Sequence, residues 1–330
     1  MRRRDFVVRL GGAALAWSLP AIAQSPDRVR RIGVLLGWAE SDPESQLRLA
    51  AFKLGLAAHG WNEGRNLRIE TRWTGGDIAR ATAFAKEIVA TAPDVIVSAT
   101  TPATAAIRRE TRSIPTVFAV VSDPVGSGFV TTLSHPGGNT TGFINLESSL
   151  AEKWLQLLKE IAPRIKRAAV IYNPKTAPYV DYYLQPLKAV APRLGVVPIA
   201  APVGSETDIE RVIAELGRTA GSGLVVMTDS FMFIHRKHII SLAARYKIPA
   251  IYYTLAQVED GGLIAYGVDL VDLFRRAASY VDKILRGAKP ADLPVEQPTK
   301  FELAINAKTA KGLGIKIPQS ILVRADKVIE

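Results

Sequence analysis

Apolar residues in this chain alternate between short unbroken runs and longer stretches in which they recur every three or four positions. The first run, Ile32–Leu36, precedes a stretch from about Glu44 to His59 with Leu49, Phe52 and Leu56 on one helical face. The rhythm continues. Leu67–Thr71 reads as a strand, Asp77–Ala90 as a helix with Phe84 and Ile88 on one side, and Asp94–Ser98 as a strand. Pro102–Arg109 then reads as a helix and Pro115–Val121 as a strand. Short, uniformly apolar strands between helices predict a parallel sheet covered on both faces. A Gly- and Asn-rich segment, His135–Gly142, interrupts the pattern before Phe143, Ile144 and Asn145 and marks a crossover.

A second series follows. It predicts helices over Ser149–Ile161, Tyr179–Leu194, Thr207–Thr219 and Phe231–Tyr246, with strands at Ala168–Tyr172, Val196–Ala200, Leu224–Met227 and Pro249–Tyr252. The tail adds a strand near Leu263–Tyr266, a long helix Leu270–Arg286, a link through Pro290, Pro294 and Pro298, and a helix near Asn306–Gly314. Two α/β units in series leave a surplus tail, which a chain crossing back between lobes would explain.

Composition narrows the chemistry. Across 330 residues there is no cysteine, which excludes disulfides, thiolate metal sites and cysteine nucleophiles. Met1–Ala23 opens on Arg2, Arg3 and Arg4, continues through a weakly apolar stretch and ends in Ala21-Ile22-Ala23, the pattern of a cleaved export signal. Arg3-Arg4 before Asp5-Phe6-Val7 resembles a twin-arginine signal, with an ordinary secretory signal as the alternative. About 13 weakly apolar residues are too few for the roughly 20 a membrane helix needs. Loss of residues 1–23 removes four Arg and one Asp, leaving 38 basic against 30 acidic residues and a charge of +8 instead of +11. The remaining charge is dispersed, with no basic run or helix-turn-helix signature, so nucleic acid is not an expected partner.

In open parallel sheets, ligands lie beyond the carboxyl ends of the strands, at helix N-termini with unpaired N–H groups. The loops there carry Trp38 and Ser41; Thr100, Thr101 and Thr104; Ser122 and Asp123; Tyr172; Asp229 between Thr228 and Ser230; and Tyr253. Thr100 and Thr101 before Pro102 read either as a helix cap or as hydroxyls for a carboxylate, and Asp123 and Asp229 either as caps or as partners for an ammonium. Trp38, Tyr172 and Tyr253 read as an aromatic clamp on a small solute or as ordinary packing. His235 and His238 are three apart on a predicted helix, but the Arg236-Lys237 between them favours a solvated basic face over a metal site. The chain has no nucleophile elbow, zinc-protease helix or phosphate loop, and no complete dinucleotide fingerprint, so no cofactor is implied. An acid–base enzyme using Asp123 and Asp229 stays open as an alternative.

Several segments together bear a family likeness: Arg2-Arg3-Arg4-Asp5-Phe6 with Leu10-Gly11-Gly12, Thr101-Pro102-Ala103, Asp123-Pro124-Val125, and Ser134-His135-Pro136-Gly137-Gly138-Asn139. Gly261-Gly262-Leu263, Tyr266-Gly267 and the run from Ala288 to Phe301 complete it. The chain resembles the bacterial ABC-transporter substrate-binding proteins of the tryptophan/tyrosine-transporter-like group. That resemblance implies the type I periplasmic-binding fold, an α/β architecture of two Rossmann-like lobes with parallel sheets joined by three crossovers. The lobes would comprise residues 29–144 with about 258–290, and 145–257 with about 291–330. It further implies a periplasmic, non-enzymatic protein that binds a small aromatic, amino acid-like or carboxylate solute between its lobes. Its partners would be an ABC permease and its ATPase, with membrane contact only through the permease. The site residues implied by resemblance are the Thr100–Thr104 loop, Ser122, Asp123, Asn145, Asp229 and the Tyr253 loop. A ligand-sensing periplasmic module and an exported α/β enzyme are the alternatives.

Overall fold

A computed structural model describes residues 28–145 and 147–330, so the proposed export signal lies outside the described residues. The first series folds as β1 (Arg30–Leu36), α1 (Pro43–Ala58), β2 (Leu67–Trp73), α2 (Ile78–Ala90), β3 (Val95–Ala99), α3 (Thr101–Glu110), β4 (Thr116–Val121) and β5 (Thr140–Ile144). These strands form one sheet in the order β2-β1-β3-β4-β5, every pair parallel. β3 and β4 are buried at every residue, as strands covered on both faces should be. The segment His135–Gly142 is only partly a loop, because β5 pairs with β4 before the chain leaves the lobe. Gly142 permits that pairing: its φ is +153°, and a Cβ there would lie 2.1 Å from the Phe118 carbonyl oxygen.

The second series runs α4 (Leu150–Ile161), β6 (Arg167–Tyr172), α5 (Val180–Leu194), β7 (Val197–Pro202), α6 (Glu206–Gly217), β8 (Ser222–Val226), α7 (Ser230–Ile234), α8 (Arg236–Arg245), β9 (Ala250–Tyr252), α9 (Leu255–Glu259) and β10 (Ile264–Val268). The single helix predicted over Phe231–Tyr246 is divided, since His235 leaves helical geometry at φ −90° and ψ 12°. Next come α10 (Leu270–Leu285), a 3-10 turn at Pro290–Asp292, β11 (Phe301–Asn306), α11 (Ala307–Gly312), α12 (Gln319–Leu322) and β12 (Lys327–Ile329). The second sheet has the order β12-β11-β10-β9-β8-β6-β7.

The tail connects the lobes, at places other than those expected. β10 pairs with β9, so the chain stays in lobe 2 past residue 258 and crosses back only at Asp269. α10 then lays its apolar face, including Leu273, Phe274, Ala277 and Val281, on lobe 1 against α1. The Pro-rich link also belongs to lobe 1: Thr141 Oγ1 donates to the Leu293 carbonyl at 2.6 Å, and Ile144 N–H to the Glu296 carbonyl at 3.0 Å. The last crossing therefore falls just before β11 rather than at 291. Because β10 leaves lobe 2 at the cleft and β11 returns there, β11 must run antiparallel to β10, making the second sheet mixed rather than wholly parallel. At this double crossing Lys300 Nζ meets the Asp269 carboxylate at 3.0 Å.

Candidate ligand cleft

Both sheets aim the carboxyl ends of their strands at one interlobe cavity. Lobe 1 and its first crossover supply Trp38, Thr100, Thr101, Pro102, Val120 and Asn145, and lobe 2 supplies Thr176, Tyr179, Thr228, Asp229, Ser230 and Tyr253. The free volume there is about 10 Å³, room for about one water, and direct bonds join the two walls, so the lobes are shut on each other. Two larger hollows of about 450 Å³ lie on the outside of lobe 2, between α6 and the β6–β7 edge and beside the α11 C-terminus. Both are lined by lobe 2 alone; the buried polar groups of the two lobes converge in the small cavity instead.

On the lobe 1 side the backbone is unusual. Thr100 has φ +85° and Val120 φ +56°, the latter inside an irregularity of the β4–β5 register between Phe118 and Val121. Thr100 precedes α3, yet its hydroxyl caps nothing: Oγ1 is buried with no hydrogen-bond partner among the described residues. Gly37 leaves room for that side chain, since a Cβ at residue 37 would sit 2.3 Å from Thr100 Oγ1. A relay then crosses the cleft. The Tyr183 hydroxyl donates to Ser122 Oγ at 3.1 Å, Ser122 Oγ–H donates to Asn145 Oδ1 at 3.0 Å, and Asn145 Nδ2–H donates to Thr228 Oγ1 at 2.7 Å.

The lobe 2 side is saturated. Asp229 accepts from Asn173 N–H at 2.7 Å, Phe231 N–H at 2.8 Å and Thr176 Oγ1 at 2.5 Å, so it caps α7 and fastens the loop after β6. Burial pushes its carboxyl up to about 6, against those three donors, which favour the ionised form. Tyr179 donates to the Thr228 carbonyl at 2.6 Å, and burial raises its phenol as it does that of Tyr253.

Of the residues singled out from sequence, Trp38, Thr100, Thr101, Asn145, Asp229 and Tyr253 line this cavity. Ser122 lies one layer behind it. The others do not reach it. Thr104 is fully buried and bonds Ser98 at 2.9 Å beneath α3, while Ser41 is exposed in the turn before α1. Asp123, at φ +43°, closes its own turn by accepting from Gly126 N–H at 2.8 Å. Tyr172 packs half-buried at the end of β6, so the clamp loses one member. His235 pairs with Glu206 at 2.9 Å, and no acidic, His or Cys cluster suited to a metal occurs among the described residues.

Sequence reasoning missed two arginines. Arg236, buried on lobe 2, reaches Asp42 of lobe 1 at 2.5 Å and Asp260 of lobe 2 at 2.7 Å, and its guanidinium lies 4.2 Å from the Phe233 ring centre. Burial opposes ionisation of Asp42, but Ser45 and Arg236 together hold its carboxyl below the usual range. Arg48, on α1, is also buried, 4.6 Å from the centres of both Trp38 and Phe233. Its signal was present: it falls on the same helical face as Ser45, Leu49, Phe52 and Leu56, all buried.

Comparison with known proteins agrees with the two-lobed α/β fold. The family model described as ABC transporter substrate binding protein matches residues 41–329. A tyrosine-binding protein of Clostridioides difficile is 27% identical over 266 residues, covering 80% of this chain and 76% of that protein. The crystal structure of an ABC domain in complex with L-Trp from Streptococcus pneumoniae superposes with a TM-score of 0.83 at 28% identity, over 91% of this chain and 99% of that one. The ligand-free, open structure of a Clostridium difficile substrate binding protein superposes less well, with a TM-score of 0.67 at 26% identity and the same coverage. Near-equal identity and equal coverage make lobe placement the natural source of that difference, in accord with the direct interlobe bonds described above.

Proposed function

The chain belongs to the ABC transporter substrate-binding protein family, and from that premise we propose that it is an extracytoplasmic receptor for a small, amino acid-like organic acid. It works by capture, without covalent chemistry: the solute enters an open cleft, the lobes close about the three crossovers, and the closed form docks on a permease whose ATPase drives import. Export by residues 1–23 would place it in the periplasm. The observation that carries this reading is the convergence of both sheets' carboxyl ends on one shut, polar cavity.

Each wall has a task in this reading. The unpartnered Thr100 hydroxyl, Thr101 and the first N–H groups of α3 receive a carboxylate. Asp229, held by lobe 2, faces an ammonium, and Trp38 and Tyr253 flank the body of the solute. Titration calorimetry of the full chain against amino acids and organic acids tests the assignment. A binder should be found whose affinity drops at least tenfold in Thr101→Val and in Asp229→Asn. Unchanged affinity in both variants would move the ligand out of this cleft.

A further inference from the structure

Arg48 is the one guanidinium among the described residues that is buried with neither an ion-pair partner nor a hydrogen bond to two of its nitrogens, Nε and Nη1. Its surroundings come from both lobes. Trp38 and α1 belong to lobe 1, whereas Phe233 and Tyr253 belong to lobe 2, so with the lobes shut Nε and Nη1 are cut off from water. The two ring contacts recover part of the lost hydration, but they cannot accept the in-plane N–H groups.

The nearby charges do not neutralise it. Asp42 is engaged by Arg236 and Ser45, and Arg236 itself adds positive charge. Glu44, one turn away on the same helix, lies beyond ion-pair distance, and its carboxyl is raised by burial despite the attraction of Arg48. Glu44 and Arg48 share a neighbouring cavity of about 210 Å³ with Glu259, Asp269 and Glu302; Glu259 is paired with Lys327, and Asp269 and Glu302 with Lys300. A buried cation left this way is strongly unfavourable unless an anion completes it.

We propose that Arg48 is a second anion receptor of the cleft, so that the solute carries an acid group beyond the carboxylate received at Thr100. Trp38, which lines the cavity on one side and stacks on Arg48 on the other, separates the two receptors. The preferred solute is thus a diacid of amino acid type rather than a neutral amino acid such as the L-Trp held by the pneumococcal relative. Arg48 also makes closure conditional: without the second acid, shutting the lobes strands its charge, and with it the charge is paired. This inference rests on the proposed function and narrows it.

Acid and amide pairs of the same shape decide the matter. The full chain is titrated with L-glutamate against L-glutamine and with 4-carboxyphenylalanine against 4-carbamoylphenylalanine, with L-tyrosine and L-tryptophan as further arms. At least one acid should bind tenfold or more tightly than its amide, and Arg48→Gln should bring that ratio near one. Small-angle scattering without ligand supplies a readout that needs no known solute: Arg48→Met should be more compact than the parent, because closure no longer strands a charge, while Arg48→Lys should stay as open. Amides or neutral amino acids binding as tightly as the acids would overturn the second receptor and leave the binding function standing. Binding by none of the six solutes, with Arg48→Met as open as the parent, would count against both.

Discussion

The two lobes meet the cleft in opposite conditions. Lobe 2 brings a wall whose cleft-lining acid and phenol are already engaged: Asp229 takes three donors and Tyr179 is bonded to Thr228, although Gln257 Nε2 of the same lobe is buried without a partner. Lobe 1 brings positive-φ residues at the ends of β3 and β4, an unpartnered Thr100 hydroxyl and an unpartnered guanidinium on α1. Same fold, same strand ends, but Asp229 is satisfied internally, whereas the Thr100 hydroxyl and the Arg48 guanidinium can be satisfied only by something else. The contrast suggests a rigid half that holds shape and a half whose open valences are completed on binding.

Damage to the Asp229 network should have the largest effect. Asp229→Ala strands two buried N–H groups and a hydroxyl and removes the α7 cap, so it should destabilise the ligand-free protein by roughly 4 kcal/mol. Denaturant unfolding measures this. A loss below about 1 kcal/mol would mean that lobe 2 is no more tightly built than lobe 1.

Next in size is the bond between the walls. Arg236→Met leaves the Asp42 and Asp260 carboxylates facing a gap, and removal of one partner from a buried pair costs about 3 kcal/mol. Because Asp42 is on lobe 1, part of that loss should appear as opening: small-angle scattering should report a larger radius for the variant. An unchanged radius would assign Arg236 to lobe 2 stability alone.

A pH series follows. With its folded-state carboxyl raised to about 6 from 3.8, Asp229 binds its proton more tightly when folded, so its contribution to stability is greatest below pH 4 and is lost as pH rises to about 6. The span amounts to at most about 3 kcal/mol. Asp229→Asn should flatten that slope relative to the parent. If an ammonium sits against Asp229, affinity should also fall as pH drops below 6, since binding then requires the carboxylate to lose its proton first.

Much of the scaffold was legible from periodicity, because uniformly apolar strands such as β3, β4 and β8 and amphipathic helices such as α10 carry strong local signals. The crossovers were not. β11 and β12 have little local signal, and their pairing with β10 depends on where α10 takes the chain, a long-range matter. Within the cleft, residues at strand ends such as Thr100 and Asp229 were foreseeable from fold logic. Asp123 and Tyr172 sit at equally suitable strand ends but were diverted by a turn of positive φ and by side-chain packing, which no spacing encodes. Arg48 and Arg236 escaped because a charged residue on a helix reads as solvent-facing until its partners across the cleft are known.

The smallest effect on stability tests the open wall most directly. In the ligand-free protein, Thr100→Val removes a hydroxyl that has no partner and keeps the branched shape against Gly37, so it should change stability by less than about 1 kcal/mol, in either direction. The same substitution deletes a donor the solute would use, and affinity should drop about tenfold, since an unmade hydrogen bond to a charged group is worth about 1.5 kcal/mol. Asp229→Ala should differ by losing stability as well as affinity. A Thr100→Val variant that unfolds early but binds normally would reverse the contrast, making the lobe 1 hydroxyl a structural prop.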